Sequence, residues 1–275
     1  MTSPILDQAL HQARNAATTA RSTQGHTLDH GLPVPNHEPV STPEVTPDHV
    51  QSIFNRIAPV YDDLNDRLSA GLHRIWKHMT VSWSGAKPGD RGLDVCCGSG
   101  DLAFVLAEAV GTTGNVTAVD FSCGLLEAAR DRAAQQPTPP PITWLEGDAL
   151  ALPFDDQSFD AATMGYGLRN LTDIPQGLRE LHRVLKSGAT VAILDMHRPA
   201  SVWMRSVQDW YLETLVVPAA TELGLTDEYA YIAPSLDRFP TGHQQVQLAQ
   251  AAGFDRAVHY TLVGGMMGVL VATKA

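Results

Sequence analysis

The stretch Leu93-Asp-Val-Cys-Cys-Gly-Ser-Gly-Asp101 decides the fold. Its first half has the apolar character of a buried strand, and Gly98 and Gly100 mark a turn that leads into a helix predicted over residues 102–110. A strand that passes through such a turn into a helix brings unpaired backbone N–H groups close to a ligand. The stretch therefore predicts a ligand site at the carboxyl end of a strand in an open α/β sheet.

Outward from this turn, strand and helix patterns alternate along the chain. The predicted strands are short apolar runs bounded by Gly, Pro or Asp, at residues 92–96, 115–119, 142–145, 159–164 and 190–194. Two more runs, 257–262 and 268–273, flank Gly264-Gly265 and predict a C-terminal hairpin. The sequence therefore predicts an α/β fold with a doubly wound, mostly parallel seven-stranded sheet, Rossmann-like, that ends in an antiparallel hairpin.

The rest of the chain divides by composition. Residues 1–46 are predicted to be a disordered tail, because they hold few aromatic residues and many breaks at glycine and proline. Residues 47–275 are predicted to be one domain, with a helical lid over 47–80 and an insertion over 196–243 that covers the strand ends. The insertion carries an aromatic face that either lines an apolar trough or packs as ordinary core: Trp203, Trp210 and Tyr211.

Composition excludes several classes of protein. The formal net charge is −11, which argues against a partner as acidic as nucleic acid. The three cysteines, two of them adjacent, show neither a disulfide framework nor zinc spacing, so we expect no metal and a reducing, cytoplasmic-type compartment. We expect no transmembrane helix, no secretory signal and no organelle transit peptide, the last because acidic residues outnumber arginines at the N-terminus.

Acidic side chains flank the glycine turn. Asp94 precedes it and Asp101 follows it, and the third glycine of a dinucleotide-binding loop is missing. Carboxylates at these places would repel a pyrophosphate, which argues against a nicotinamide dehydrogenase. They suit the cationic amino group and sulfonium of S-adenosylmethionine. We therefore predict that Asp94, Gly98, Gly100 and Asp101 bind that cofactor.

Two further acidic residues follow later strands. Asp120 ends the second strand, where its two carboxylate oxygens are placed to hold ribose hydroxyls. Asp148 follows the third strand, next to Ala149, and could accept a hydrogen bond from the adenine amino group. Each feature alone is weak, since an aspartate at a strand end is more often a helix cap. Their order on successive strand ends is what points to a single site.

Three other segments carry recognisable motifs. They are Tyr61-Asp-Asp-Leu-Asn-Asp-Arg-Leu-Ser-Ala-Gly-Leu-His-Arg-Ile-Trp-Lys77, Gly167-Leu-Arg-Asn-Leu-Thr-Asp-Ile174 and Arg183-Val-Leu-Lys-Ser-Gly188. These segments resemble the ubiquinone/menaquinone-biosynthesis C-methyltransferases, and with the cofactor loop the resemblance covers roughly residues 50–275. The Cys96-Cys97 loop is similar to the cyanobacterial and plant branch, which methylates demethylphylloquinone. The resemblance implies a class I S-adenosylmethionine-dependent methyltransferase fold.

The resemblance also implies a reaction and its residues. The reaction is methyl transfer to a ring carbon of a prenylated demethylnaphthoquinol, giving phylloquinol. Arg169 would stabilise a developing phenolate, Asn170 would orient the quinol oxygen or a water, and Tyr61 would close the site. A lipophilic substrate further implies transient contact with a thylakoid or plasma membrane, expected through residues 200–235. The sequence leaves a homodimer open.

The chain departs from the family pattern at two positions, and the sequence leaves alternative substrates and one alternative function open. Cys96 stands where many methyltransferases carry glycine, which is tolerable only if its φ is not positive. Ala103 stands where relatives often carry threonine. A demethylmenaquinol, a benzoquinol, or another small-molecule or protein acceptor would suit the same core. A regulatory protein that binds S-adenosylmethionine without turnover is the alternative from another class.

Overall fold

The computed structural model describes residues 71–222 and 232–275. The predicted tail, Tyr61 and most of the predicted lid lie outside the described residues. The end of the lid is helical as predicted, and this helix, α1, runs from Leu72 to Ser84, four residues past the predicted end. Everything below concerns the described residues.

One seven-stranded sheet organises the domain, with the strand order β3-β2-β1-β4-β5-β7-β6. The first five strands are parallel, and β7 lies antiparallel between β5 and β6. This confirms the predicted doubly wound sheet with its C-terminal hairpin. The strands are β1 (Arg91–Val95), β2 (Asn115–Asp120), β3 (Ile142–Glu146), β4 (Phe159–Gly165), β5 (Leu185–Met196), β6 (Arg256–Leu262) and β7 (Met267–Thr273).

Helices connect the strands and cover both faces of the sheet. No described helix combines the length and the apolarity needed to cross a bilayer. After α1 they are α2 (Asp101–Val110), α3 (Cys123–Ala134), α4 (Ile174–Val184), α5 (Val202–Tyr211), α6 (Val217–Glu222), α7 (Ile232–Arg238) and α8 (Gly242–Ala251), with a π-helical turn at Leu212–Val216 and 3₁₀ turns at Leu168–Asn170 and Val263–Gly265.

Local chemistry explains where these helices begin. The Asp173 side chain accepts a hydrogen bond from the N–H of Gln176, and Pro175 occupies the first turn of α4. Thr241 and Gln244 form a reciprocal capping box at the start of α8. These caps satisfy N–H groups that the first helical turn leaves unpaired, so each helix starts at a residue that its sequence specifies.

Buried clusters on both faces hold the helices on the sheet. Leu178 and Leu181 of α4 are fully buried on one side, and Leu102 and Leu106 of α2 are buried on the other. Burial of each leucine contributes about 1.5–3 kcal/mol relative to exposure. The packing leaves the carboxyl ends of β1, β2 and β4 together at one edge of the sheet.

The predicted insertion, 196–243, begins with β5's last residue and continues through α5, α6 and α7. The two tryptophans of its aromatic face are too exposed to be ordinary core. Trp203 is 50% exposed and Trp210 is 39% exposed. Only Tyr211 is half-buried, and burial raises its pKa to about 12. Neither tryptophan lines the cavities described below.

Candidate active site

A cavity of about 230 Å³ opens at the carboxyl ends of β1, β2 and β4. Its walls are mostly apolar, and its acidic side chains are those of Asp120 and Asp148. The lining residues thus come from the ends of successive strands, as the order of motifs in the sequence predicts. Sequence analysis missed three of its apolar residues, Phe121, Leu125 and Leu150, although Phe121 directly follows Asp120.

The two glycines of the turn serve different purposes. Gly98 lines the cavity at φ +54°, and a Cβ atom there would meet nothing closer than Leu125 Cδ1 at 4.0 Å. Gly100 is the N-cap of α2 at φ +93°, and a Cβ there would lie 2.6 Å from Cη2 of Trp144. The structure therefore places Gly98 at the predicted site and Gly100 behind it, against an aromatic side chain.

Asp120 lies where the sequence predicts it, in the cavity wall. Its Oδ2 accepts the N–H of Gly98 at 2.8 Å, and its Oδ1 accepts the N–H of Ser122 at 2.9 Å. Burial raises the pKa of this carboxyl, while the two backbone N–H groups act against that rise. Each carboxylate oxygen can accept more than one hydrogen bond, so the side chain is fixed and still able to hold a ribose hydroxyl.

Asp148 and Ala149 also line the cavity, as predicted. Asp148 Oδ1 accepts the N–H of Leu150 at 2.8 Å, which fixes the turn after β3. Oδ2 is left to accept a hydrogen bond from a ligand. The apolar side chains of Phe121 and Leu125 also line the cavity and offer apolar contact to a ligand.

Asp94 is not among the residues that line the cavity. It is fully buried in β1, and its Oδ1 accepts the hydroxyl of Thr163 at 2.8 Å. Its Oδ2 is buried without a hydrogen-bond partner in the described structure. Burial raises the pKa of this carboxyl to about 7, and the charge of Asp120 adds to the rise. A direct contact of Asp94 with the cofactor stays a prediction.

Asp101 does not line the cavity. Its carboxylate is paired with Lys77 of α1 and with Arg132 of α3, the latter at 2.7 Å. Although burial raises the pKa of Asp101, the two cations lower it to about 2. The carboxylate of Asp101 thus belongs to an ion-pair cluster that joins three helices. Its predicted contact with the cofactor stays a prediction.

Two cavity residues have left-handed backbone conformations that side chains rarely adopt. Cys96 has φ +55° and Tyr166 has φ +58°, at the ends of the neighbouring strands β1 and β4. The unfavourable case foreseen for Cys96 is therefore the observed one. Such a conformation costs about 1–2 kcal/mol and persists only where the surroundings enforce it. Here the N–H of Tyr166 donates to the carbonyl of Leu194 at 2.7 Å.

A second cavity, of about 400 Å³, adjoins the first. The two share Asn170, Leu171 and Thr172, which follow β4. The far walls of the second cavity come from the end of α7 and from Leu248 of α8, so the insertion helps to enclose it. The arrangement offers one compartment for a cofactor and a neighbouring one for an acceptor.

The two predicted catalytic residues that are described lie at this junction. Asn170 donates through Nδ2 to the carbonyl of Tyr166 at 2.8 Å, and its Oδ1 is buried without a partner among the described residues. Arg169 lines only the second cavity, and its side chain is bound to Asp195 and Ser235. Sequence analysis missed Asp195 because it lies 26 residues further along the chain, inside an apolar strand.

A comparison with known families agrees with this geometry. The model of the ubiE/COQ5 methyltransferase family matches residues 43–274. The chain belongs to the ubiE/COQ5 methyltransferase family. It is therefore an S-adenosylmethionine-dependent methyltransferase, and the resemblance seen in the sequence is confirmed.

Individual ubiE/COQ5 relatives are close. A protein of Nostoc punctiforme named "2-phytyl-1,4-naphtoquinone methyltransferase" is 63% identical over 82% of this chain and 98% of its own length. A protein of Arabidopsis thaliana named "2-phytyl-1,4-beta-naphthoquinone methyltransferase, chloroplastic" is 52% identical over 81% of this chain and 86% of its own length.

Solved structures support the fold alone. A SAM-dependent methyltransferase from Aquifex aeolicus superposes with a TM-score of 0.52 at 18% identity, covering 83% of this chain and 98% of that one. The [4+2]-cyclase SpnF superposes with a TM-score of 0.56 at 18% identity, covering 83% and 96%. Since a cyclase shares the architecture, the reaction has to be argued from the site.

The residues around the first cavity fit the family's cofactor. Asp120 and Asp148 supply carboxylate acceptors in the cavity wall, and Gly98 leaves room for a ligand against the backbone. Their pairing with the ribose and the adenine of the cofactor stays a prediction. Ala103 is fully buried in α2 and has no hydroxyl, so it offers no polar side-chain contact to the cofactor. When bound, S-adenosylmethionine supplies an electrophilic methyl group on a sulfonium sulfur. The protein's part is to place the acceptor in line with it and to stabilise the charge that develops.

Proposed function

We propose that this ubiE/COQ5 methyltransferase C-methylates the quinol ring of a prenylated demethylnaphthoquinol, 2-phytyl-1,4-naphthoquinol, to give phylloquinol. The observation that carries the proposal is the junction of the two cavities at Asn170, whose buried Oδ1 has no described partner. An unsatisfied buried acceptor costs about 1–3 kcal/mol, a cost that a donor on the substrate would remove. A quinol hydroxyl is such a donor. The names of the relatives in Nostoc punctiforme and Arabidopsis thaliana support the same substrate.

The roles of the two residues follow from their atoms. Asn170 accepts a hydrogen bond from the quinol hydroxyl next to the carbon that receives the methyl group, which orients the ring. Arg169 is a cation with N–H donors only, so it stabilises the phenolate that forms as the hydroxyl passes its proton to water. After the methyl group has moved from sulfur to the ring carbon, that carbon releases its hydrogen as a proton, which restores the aromatic ring and leaves S-adenosylhomocysteine. Tyr61 remains a proposed third contributor that closes the site, and it lies outside the described residues.

A substrate with a long apolar tail resides in a membrane, so we also propose transient peripheral contact with a thylakoid or plasma membrane. Supporting this, Val202, Trp203 and Val263 are exposed by 78%, 50% and 41%. All three lie near the ends of β5 and β6, at the same edge of the sheet as the cavities. The 3₁₀ turn that holds Val263 is close to Met204 of α5.

Sedimentation with liposomes tests the membrane contact. We expect W203D and V263D to release the protein from phytylquinone-containing vesicles without loss of cofactor affinity. Binding that is absent in the native protein, or unchanged in both variants, would contradict the contact. Light scattering on the same samples tests the homodimer, which we keep as a proposal.

The central experiment is a transfer assay with methyl-labelled S-adenosylmethionine and chemically reduced demethylnaphthoquinones that carry phytyl or polyprenyl tails. Label in the phytyl compound supports the proposal. If the enzyme preferred a polyprenyl tail, its substrate would be a demethylmenaquinol. If it preferred a benzoquinol, the reaction would be benzoquinol methylation. Stoichiometric binding of the cofactor with no label in any quinol would favour the non-catalytic, regulatory alternative.

A further inference from the structure

The carboxylate of Asp195 accepts hydrogen bonds from both the backbone and the side chain of Arg169. Its Oδ2 accepts the backbone N–H of Arg169 at 2.9 Å, and its Oδ1 accepts Nη1 of the same residue at 2.5 Å. The N–H of Met196 also donates to Oδ1, at 2.8 Å. The carboxylate is 1% exposed and the arginine side chain 8% exposed, so water competes little with the pair. Asp195 therefore fixes both the backbone and the side chain of Arg169.

A second contact ties the same guanidinium to the insertion. Arg169 Nε donates to the hydroxyl of Ser235 at 3.0 Å, and this hydroxyl donates to the carbonyl of Ile232 at 2.6 Å. Ser235 is buried on α7, the helix whose end forms a wall of the second cavity. The guanidinium is thus held between the end of β5 and α7.

These contacts leave a defined part of the guanidinium to the substrate. Arginine has five N–H donors in a rigid plane, and Nε and one N–H of Nη1 are used. Nη2 donates to no described residue. Since Arg169 lines the second cavity, the remaining N–H groups are the ones available to an oxygen bound there.

We propose that Asp195 is a positioning residue for methyl transfer: together with Ser235 it holds Arg169 so that the unused N–H groups meet the phenolate oxygen of the acceptor in the second cavity. The inference rests on the proposed function and deepens it. Asp195 touches neither substrate nor cofactor, and it acts through Arg169. Because the plane of the guanidinium is fixed before the acceptor binds, no reorientation is needed when charge develops.

The test compares D195N and S235A with two matched controls. D195N removes the charge but keeps the size of the side chain, and S235A is the milder variant that keeps the core intact. D160N changes a partly exposed aspartate that pairs with Lys186 at 2.6 Å and accepts the backbone N–H of Arg91 at 3.0 Å. S158A removes a serine that donates to the carbonyl of Asp155. Neither control residue lines either of the two cavities at the candidate active site.

For turnover, we expect D195N to lower kcat by about 10- to 100-fold, as loss of other electrostatic contributions does, and S235A by about 3- to 10-fold. The Kd of S-adenosylhomocysteine should stay within about twofold in both. In an R169Q background, D195N should add no further loss, since residues that act as a unit are not additive. An equal loss of cofactor affinity, or a full additional loss in R169Q, would show that Asp195 is merely structural.

A spectroscopic measurement keeps this proposal separate from the proposed function. In a protein labelled with ¹⁵N-arginine, Arg169 should give a slowly exchanging Nε–H signal that disappears in S235A and D195N and persists in S158A and D160N. That signal does not depend on which acceptor is methylated. If it survives in D195N, the positioning role is overturned. If it behaves as expected while no quinol is methylated by the native protein, only the proposed function fails.

Discussion

Cys96 and Gly167 fill one space at the ends of neighbouring strands. A Cβ atom on Gly167 would lie 2.5 Å from Cβ of Cys96 and 2.8 Å from its sulfur. Both distances are well inside van der Waals contact. The side chain of Cys96 thus requires that residue 167 has no side chain.

The G167A substitution tests this dependence. Gly167 has φ −95°, which alanine adopts freely, so the cost comes from overlap alone. Overlap between two Cβ atoms cannot be relieved by side-chain rotation, and we expect a loss of about 1–3 kcal/mol of unfolding free energy in urea titrations. In a C96G background the same substitution should cost much less, because the two closest contacts, both with Cys96, are removed and the next atom, Met164 Cγ, is 3.1 Å away. Equal costs in both backgrounds would contradict the shared space.

Gly98 and Gly100 should respond differently to alanine although both have positive φ. G98A should destabilise the fold by about 1 kcal/mol through its backbone and weaken binding of S-adenosylhomocysteine, because its Cβ would enter the cavity. G100A should cost more stability, since the rings of Trp144 and Phe104 must shift, and should change affinity less. Urea unfolding measures the stability of both variants, and calorimetric titration measures their affinity for S-adenosylhomocysteine. If G100A weakened binding more than G98A, the first cavity would not be the cofactor site.

The sequence predicts the fold well because its strands are apolar runs between clear breaks. The largest error in a strand is at β5, which begins at Leu185 rather than at 190, since Lys186 and Gly188 interrupt the apolar pattern. Asp120 and Asp148 were found because the carboxyl ends of parallel strands meet at one edge.

Side-chain partners across the fold were beyond prediction. The pairing of Asp101 with Lys77 depends on how α1 packs against α2, which no local pattern encodes. The orientation of Arg169 likewise depends on packing, because its partner Asp195 lies in β5, whose sequence is otherwise apolar and predicts only a buried strand. The left-handed conformation of Tyr166 has only a weak signal, the glycines on either side of it.

The cluster around Asp101 predicts unequal effects of its two cations. Lys77 is 7% exposed and Arg132 36% exposed, and both pair with the same carboxylate. K77M should cost about 2–4 kcal/mol because a largely buried charge loses its nearest partner, whereas R132M should cost about 1 kcal/mol or less. Urea unfolding at pH 7 measures both. Equal costs would mean that Asp101 is better solvated than its burial indicates.

The ion pairs of Asp101 also make the stability of the protein depend on pH in the acidic range. The pKa of Asp101 is about 2 in the folded protein and near 4 in an unfolded chain. Its contribution to stability is therefore present above pH 4 and is lost as the pH falls toward 2. K77M should lose less stability than the native protein between pH 4 and pH 2, as followed by circular dichroism. A steeper loss in K77M would show that Lys77 is not the group that lowers this pKa.

Asp94 predicts a pH dependence of the opposite sign. Its pKa is about 7 in the folded protein, mainly because of burial, and near 4 in an unfolded chain. The folded protein thus keeps a proton that the unfolded chain releases in this range. The stabilisation is fully present below pH 4 and is lost as the pH rises through 7.

D94N isolates this effect because asparagine keeps the shape of Asp94 and does not ionise. We expect the unfolding free energy of D94N, relative to the native protein, to rise by at least about 2 kcal/mol between pH 5 and pH 8, since one pKa unit corresponds to about 1.4 kcal/mol.

D160N is the matched control. Burial raises the pKa of Asp160, but the hydrogen bond from Lys186 helps to bring it below its usual value, so Asp160 is ionised throughout this range. Its difference from the native protein should stay constant. A constant difference for D94N as well would mean that Asp94 is already charged at pH 5, with its buried Oδ2 satisfied by a group such as water.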